Sequence, residues 1–168
     1  MEKWYVLYTR PRHEKKVRDG LIEKNIEVFL PLLTKTLVYK NRKKKSEVPL
    51  FNSYLFARFD YKNRFTILET HGVIKLVNFK GVPGVVPEWQ IESLRKMLEN
   101  PESLMLESYF KQGDLVEVVQ GPFKGMRGTV VNRKGETRLL ITIDGIMQTV
   151  SVEIDADNVE AVKQEMPA

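Results

Sequence analysis

Over the first hundred residues the apolar positions change period several times. Residues 4–9 (WYVLYT) are apolar and aromatic and predict a strand. Pleating would put Trp4, Val6 and Tyr8 on one face and Tyr5 and Leu7 on the other. Arg10-Pro11-Arg12 ends the run, and a helix is expected over residues 13–24. Val17 and Leu21, four apart, share the face that meets the sheet. Residues 26–33 form a second apolar run, and Pro31 inside it predicts a strand edge or bend. Residues 34–39 alternate, 41–45 (NRKKK) are a polar, basic turn, and 46–49 climb back, which predicts a long hairpin with a positive tip. Residues 50–59 (LFNSYLFARF) are the most aromatic strand. Tyr54, Phe56 and Arg58 fall on one face and Leu55, Ala57 and Phe59 on the other, so both faces need cover. Residues 60–71 predict a short helix with Phe65 and Leu68 in the core, stopped at Gly72. A strand over 73–79 and a loop over 81–84 follow. The clearest helix is 87–100: Pro87 suits its first position, Glu88 its N-terminal dipole, and Asn100-Pro101 stops it.

The pattern then changes. Residues 101–111 have weak periodicity and read as a linker. Residues 115–119 predict a strand, and Gly121-Pro122 turns the chain. Phe123, Lys124 and Gly125 follow, and Gly128 precedes a second strand at 129–131. A large aromatic between two glycines either folds back onto a small core or is offered to a partner. Residues 138–143 predict a strand, Asp144-Gly145 a two-residue hairpin turn, 146–152 the returning strand, and 158–162 a fifth. The chain thus reads as α+β: an antiparallel sheet covered by helices over residues 1–100, then a small five-stranded β-barrel over 112–163, with residues 164–168 as a tail.

Charge separates the halves. Residues 1–111 hold 21 Lys and Arg against 13 Asp and Glu, a net +8, whereas residues 112–168 hold 6 against 9, a net −3. Only the first part has an electrostatic reason to approach phosphates. The chain has no cysteine, which excludes disulfides, zinc–thiolate sites and thiol nucleophiles and fits a reducing cytoplasm. No apolar run reaches the ~18 residues of a membrane span. The two histidines are far apart in sequence, and no nucleophile elbow, phosphate loop or metal-spaced cluster occurs, so an enzyme is not expected and no cofactor is implied.

Gly113-Asp114, Val116, Val118, Gly121-Pro122-Phe123, Gly125, Gly128 and Val130 resemble the KOW motif. That motif marks small β-barrel domains of transcription elongation factors and some ribosomal proteins. The acidic balance of residues 112–168 speaks against a plain RNA-binding or ribosomal protein. Lys3 to Tyr8, the basic helix start, Pro49-Leu50-Phe51, Tyr54-Leu55-Phe56 and Gly72-Val73 resemble the N-terminal (NGN) domain of the NusG family. Together the two resemblances imply an NGN domain over 1–100, a linker over 101–111 and an SH3-like KOW barrel over 112–163. Tyr8, the basic hairpin, and Asn52-Ser53 where housekeeping members usually carry Pro-Gly lean toward the RfaH-like and UpxY-like antiterminators of surface-polysaccharide operons. A housekeeping factor coupling RNA polymerase to Rho or the ribosome is the close alternative.

What the resemblance implies is an adaptor, acting in the cytoplasm as a monomer without membrane contact. Tyr8, Phe51, Tyr54 and Phe56 would meet the β′ clamp helices of RNA polymerase, with core packing the competing role, above all for Phe51 and Phe56. Arg64, Phe65 and Thr66 correspond to a segment that touches the β gate loop. Bridging clamp and gate loop would suppress pausing and premature termination. Arg10, Arg12, His13, Lys15 and Lys16, and the hairpin's Arg42, Lys43, Lys44 and Lys45, would face non-template or upstream DNA. Phe123, Lys124 and Met126 would form the KOW surface offered to ribosomal protein S10 or Rho. In RfaH the second domain can be an α-helical hairpin over the polymerase-binding patch. Here Ile141, Thr142, Ile143, Ile146, Thr149, Val150 and Val152 are β-branched, and Gly121-Pro122, Gly125 and Gly128 penalise a helix, so a permanently β-structured second domain is expected, leaving the patch accessible.

Overall fold

The computed structural model describes residues 1–107, 115–133 and 135–162. Residues 108–111 of the expected linker, Gly113-Asp114 of the KOW resemblance and the expected tail, 164–168, lie outside them. The chain divides into two compact units, Met1–Pro87 and Glu88–Ala168.

The first unit is built on strand β1 (Glu2–Thr9), followed by helix α1 (Glu14–Glu23), β2 (Glu27–Phe29), β3 (Leu32–Tyr39), β4 (Arg42–Pro49), β5 (Tyr54–Asp60), helix α2 (Arg64–Leu68), β6 (Val73–Leu76), β7 (Asn78–Phe79), β8 (Val82–Pro83) and β9 (Val85–Val86). The sheet runs β2-β5-β1-β6, and β9 pairs with β1 further along. Every pairing is antiparallel. The register sets Tyr5 opposite Ala57 and Leu7 opposite Leu55. Those residues join Val17 and Leu21 of α1, Phe59 and Ile67 in one core, with the Tyr5 and Phe59 ring centroids 4.7 Å apart. The opposite face of β1 and β5 is also closed, because Trp4, Val6 and Phe56 are buried. Leu30-Pro31 separates β2 from β3, the bend that Pro31 predicts. β3 and β4 pair only with each other and make a free-standing ribbon.

The second unit contains α3 (Glu88–Glu99), β10 (Met105–Glu107), β11 (Leu115–Val118), β12 (Arg127–Arg133), β13 (Glu136–Ile143), β14 (Gln148–Glu153) and β15 (Val159–Ala161). No described helix is long and apolar enough to cross a membrane. Residues 136–143 and 148–153 are strands, not a helical hairpin. The expected closed five-stranded barrel is not formed. The strands make an open six-stranded antiparallel sheet in the order β10-β14-β13-β12-β11-β15. Closure requires the two outermost strands to exchange backbone hydrogen bonds. Here, among the described residues, they are β10, paired only with β14, and β15, paired only with β11. The extra strand comes from the stretch expected as linker. Met105 and Leu106 are both about half exposed, so hydrophobic pattern gives β10 no signature.

Polar groups hold β10 instead. Arg138 is buried, and its Nε donates to Ser151 Oγ at 2.9 Å and lies 3.7 Å from Glu107 Oε1. Its guanidinium also donates to the Ser103 carbonyl. Ser151 Oγ donates to Glu107 Oε1 at 2.6 Å, and the Glu153 N–H donates to Ser103 Oγ at 2.9 Å. Within the sheet Gly128 is required for close approach, because a Cβ there would stand 2.5 Å from the Leu140 carbonyl oxygen.

The Asp144-Gly145 turn also differs from expectation. Ile143 pairs with Gln148, so four residues make the connection. Met147 takes the left-handed backbone (φ 51°), while Ile146 is buried. The connection is thus a four-residue loop that opens with the Asp-Gly pair, with Ile146 turned inward.

Candidate functional site

Register places the two candidate tyrosines side by side. Tyr8 on β1 is opposite Tyr54 on β5 and opposite Lys75 on β6. The tyrosine ring centroids are 5.3 Å apart, and Lys75 Nζ lies 5.7 Å from the Tyr8 centroid. Both rings are half-buried. They therefore present aromatic edges on a supported surface. The next row, on the same face, is Phe29 opposite Phe56 opposite Val6. Phe51 packs edge-on against Phe56, with centroids 6.3 Å apart. Phe51 and Phe56 are buried, at 2% and 0% exposure. Nothing in the sequence singles out Lys75, since its proximity to Tyr8 arises from a strand pairing.

The turn leading into Tyr54 explains Asn52-Ser53. The Tyr54 N–H donates to the Phe51 carbonyl, and Ser53, the third residue of that turn, has φ 67°. A positive φ at the third position alone marks a type II turn, where Pro-Gly is the favoured central pair. Serine is held there by Glu14, a buried α1 residue whose Oε1 accepts from the Ser53 N–H at 2.9 Å. The Ser53 carbonyl accepts from the Thr9 N–H at 2.8 Å, tying the turn to the end of β1. Two opposite changes in stability are expected. Ser53→Gly should stabilise by about 0.5–1 kcal/mol by removing the left-handed penalty. Glu14→Ala should cost about 1.5–3 kcal/mol, the range for a hydrogen bond to a charged group. Thermal melts of the two variants check both signs.

The candidate cations of the first unit are exposed, with one exception. Arg10, Arg12, Lys15 and Lys16 are exposed, as are Arg42, Lys43, Lys44 and Lys45. His13 is half-buried, its Nδ1 donating to the Pro11 carbonyl at 2.9 Å and its ring 5.9 Å from that of His71. The two histidines distant in sequence thus meet in space. Lys15 Nζ donates to the Glu47 carbonyl at 2.7 Å. Arg12, Lys15, Glu47 and Pro49 line a cleft of about 300 Å³ between the start of α1 and the base of the ribbon. The start of α1 thus lies against the base of the ribbon whose distal part carries Arg42–Lys45.

On α2, Phe65 is 62% exposed. The expectation that it belongs to the core is wrong; Ile67 is the buried residue of that short helix. The Arg64 guanidinium carbon lies 4.5 Å from the ring centroids of both Tyr61 and Phe65. Thr66 is exposed and its carbonyl accepts from Lys24 Nζ at 3.0 Å. Arg64 and the two rings make a compact exposed cluster.

In the second unit the Gly121–Met126 turn is closed by backbone hydrogen bonds: Gly125 N–H to the Val118 carbonyl and Val118 N–H to the Met126 carbonyl, each 2.8 Å. Phe123 and Met126 fold inward and are buried, while Lys124 is exposed. Lys96 Nζ of α3 donates to the Lys124 carbonyl. Phe123 keeps one side on a cleft of about 500 Å³ shared with Val118, Pro122, Ile154 and Asn158. Among the described residues no His, Asp and Glu cluster could hold a metal ion.

A family model described as "Transcription termination factor nusG" matches residues 2–95, and a KOW motif model matches residues 112–155. The transcription termination/antitermination protein NusG of Rickettsia prowazekii is 22% identical, over 95% of this chain and 90% of its own length. Its namesake from Thermus thermophilus is 28% identical, over 93% and 96%. A solved structure titled "Domain interaction in Thermotoga maritima NusG" has a TM-score of 0.52 at 21% identity, covering 97% of this chain and 98% of that one. That likeness concerns the fold.

Proposed function

This chain belongs to the NusG family, and from that membership we propose that it is a general transcription elongation factor that binds RNA polymerase and modulates pausing and termination. As a member of this family it is a non-catalytic adaptor. The observation that carries the reading is the Tyr8–Tyr54 pair, two half-buried rings at one end of the sheet's two central strands, inside the span matched by the family model. Aromatic rings give large contact area at low entropic cost and dominate many interfaces. The pair would dock on the β′ clamp helices, with Phe51 and Phe56 supporting it from within. The Arg64-Phe65-Thr66 segment, with Phe65 and Thr66 exposed, would touch the β gate loop. Joining clamp and gate loop would bias the polymerase toward its closed state without any bond being made or broken.

The matched spans, residues 2–95 and 112–155, support a polymerase-binding domain in the first part of the chain and a KOW domain in the second. Through the Phe123 cleft and exposed Lys124 the KOW domain would take a protein partner, Rho or ribosomal protein S10. The general role is preferred over action at particular operons. The relatives named above carry the general name, and Asn52-Ser53 has a local explanation in the Glu14 hydrogen bond.

Purified chain added to elongating polymerase should change pause lifetimes on unrelated templates alike. An effect confined to one template sequence would instead support the specialised branch, and no effect on any template would overturn the reading. The basic segments should add a salt-dependent interaction with non-template or upstream DNA. Neutralising Arg10, Arg12, Lys15 and Lys16 should reduce the slope of log affinity against log salt by about 0.7–0.9 for each phosphate that the protein no longer neutralises. A slope unchanged in the quadruple alanine variant would return these side chains to a merely solvated role.

A further inference from the structure

The β3–β4 ribbon carries a feature that positive charge alone does not explain. Its strands pair in unbroken register from Leu32 opposite Pro49 to Tyr39 opposite Arg42. Its distal half, residues 34–45, is exposed throughout. Yet Leu37, Val38 and Tyr39 are large apolar side chains, 50%, 71% and 71% exposed. Residues directly opposite each other share a face. Tyr39 and Leu37 therefore lie with Arg42 and Lys44 on one face, and Val38 lies with Lys43 on the other. Both faces alternate an apolar residue on β3 with a cation on β4. Between residues 32 and 49 there are six Lys and Arg and a single acid, Glu47 near the base.

The tip is rigid. Lys40 and Asn41 both have positive φ, 45° and 64°, the two-residue reversal that matches strand twist. Tyr39 and Arg42 flank it. The Tyr39 ring stays 71% exposed although Lys40 Nζ lies 5.6 Å from its centroid. A partner for this tip must be anionic and must offer flat apolar surface. An anionic bilayer fits poorly, since the apolar residues are divided between the two faces and neither face could lie flat on it. An unpaired nucleotide strand offers both properties, phosphates for the cations and base faces for the ring.

We infer that the ribbon tip is a single-strand nucleic-acid grip in which Tyr39 stacks on an unpaired base while Arg42, Lys43, Lys44 and Lys45 hold the flanking phosphates. This rests on the nucleic-acid reading of Arg42–Lys45 given above and adds to it a stacking residue and a preference for unpaired strands. The grip is indifferent to sequence, because every base has a π face and phosphates carry no sequence information.

The test uses the full chain and short fluorescent oligonucleotides, single-stranded and duplex, titrated across a range of salt. Tyr39→Ala should weaken single-strand binding about 5- to 100-fold with the salt slope unchanged. Tyr39→Phe should bind like the wild type. Replacing Arg42, Lys43, Lys44 and Lys45 by glutamine should flatten the salt slope. A 2-aminopurine base in the strand should be quenched on binding by the wild type and not by Tyr39→Ala. Wild-type affinity and quenching in Tyr39→Ala, with the slope still flattened by the glutamines, would overturn the stacking grip and leave the electrostatic reading standing. No change with either set of variants would overturn both. Duplex bound as tightly as single strand, or tighter binding to a polyglutamate peptide than to oligonucleotide, would also overturn the grip.

Discussion

Replacing Arg138 by alanine should cost about 3–5 kcal/mol, the range for removing one partner of a buried ion pair. The Arg138 and Glu107 side chains are 7% and 9% exposed. Without the guanidinium, the Glu107 carboxylate, beside Ser151, would lose this cation, and the Ser103 carbonyl would lose this donor. Arg138→Lys should recover only part of the loss, because an ammonium cannot span the Glu107, Ser151 and Ser103 positions at once. Urea melts would show a lower midpoint in both variants. Hydrogen exchange should show where the loss begins. The amides of Met105–Glu107 should exchange faster than those of β12 and β13, since β10 is an edge strand held by these polar groups. An unchanged midpoint with β10 still protected would mean that the network is incidental to the fold.

The second large effect concerns the aromatic pair. Tyr8→Ala combined with Tyr54→Ala should weaken polymerase binding by about 2–4 kcal/mol, roughly 30- to 1,000-fold. The rings touch, so the two single substitutions should not add; either one alone removes much of the other's support. Both side chains are only half-buried, and the core beneath them (Leu7, Leu55, Phe56) is untouched. The double variant should therefore keep a wild-type circular dichroism spectrum. Phe56→Ala should differ in kind, costing about 3–5 kcal/mol of stability as a buried aromatic truncation.

Much of this arrangement is legible in the chain. The continuous apolar and aromatic runs at residues 4–9 and 54–59 give the two central strands, pleating gives their faces, and Val17 and Leu21 give the buried side of α1. What is not legible depends on partners brought from elsewhere. Ser53 reads as a departure from Pro-Gly until Glu14, 39 residues earlier, is found holding its N–H. β10 reads as linker because its anchor is the buried side chain of Arg138, and local periodicity does not report a polar anchor. Five strands of suitable spacing suggest a barrel, but closure depends on which strands become edges, and that is decided by a sixth. Phe65 on a five-residue helix could face either way. Its packing against Arg64 leaves it outward, and Ile67 takes the inward place. Phe123 is equally open in the sequence, and the folded turn sends it inward.

The central claim, that the Tyr8–Tyr54 edge docks on the clamp, is tested most directly by a photoreactive phenylalanine at position 54 in the full chain, irradiated with RNA polymerase. The expected result is a crosslink to the β′ subunit that maps to the clamp helices and is competed by unlabelled wild-type chain. A crosslink mapping elsewhere on the polymerase, or none at position 54 while the protein still alters elongation, would contradict it.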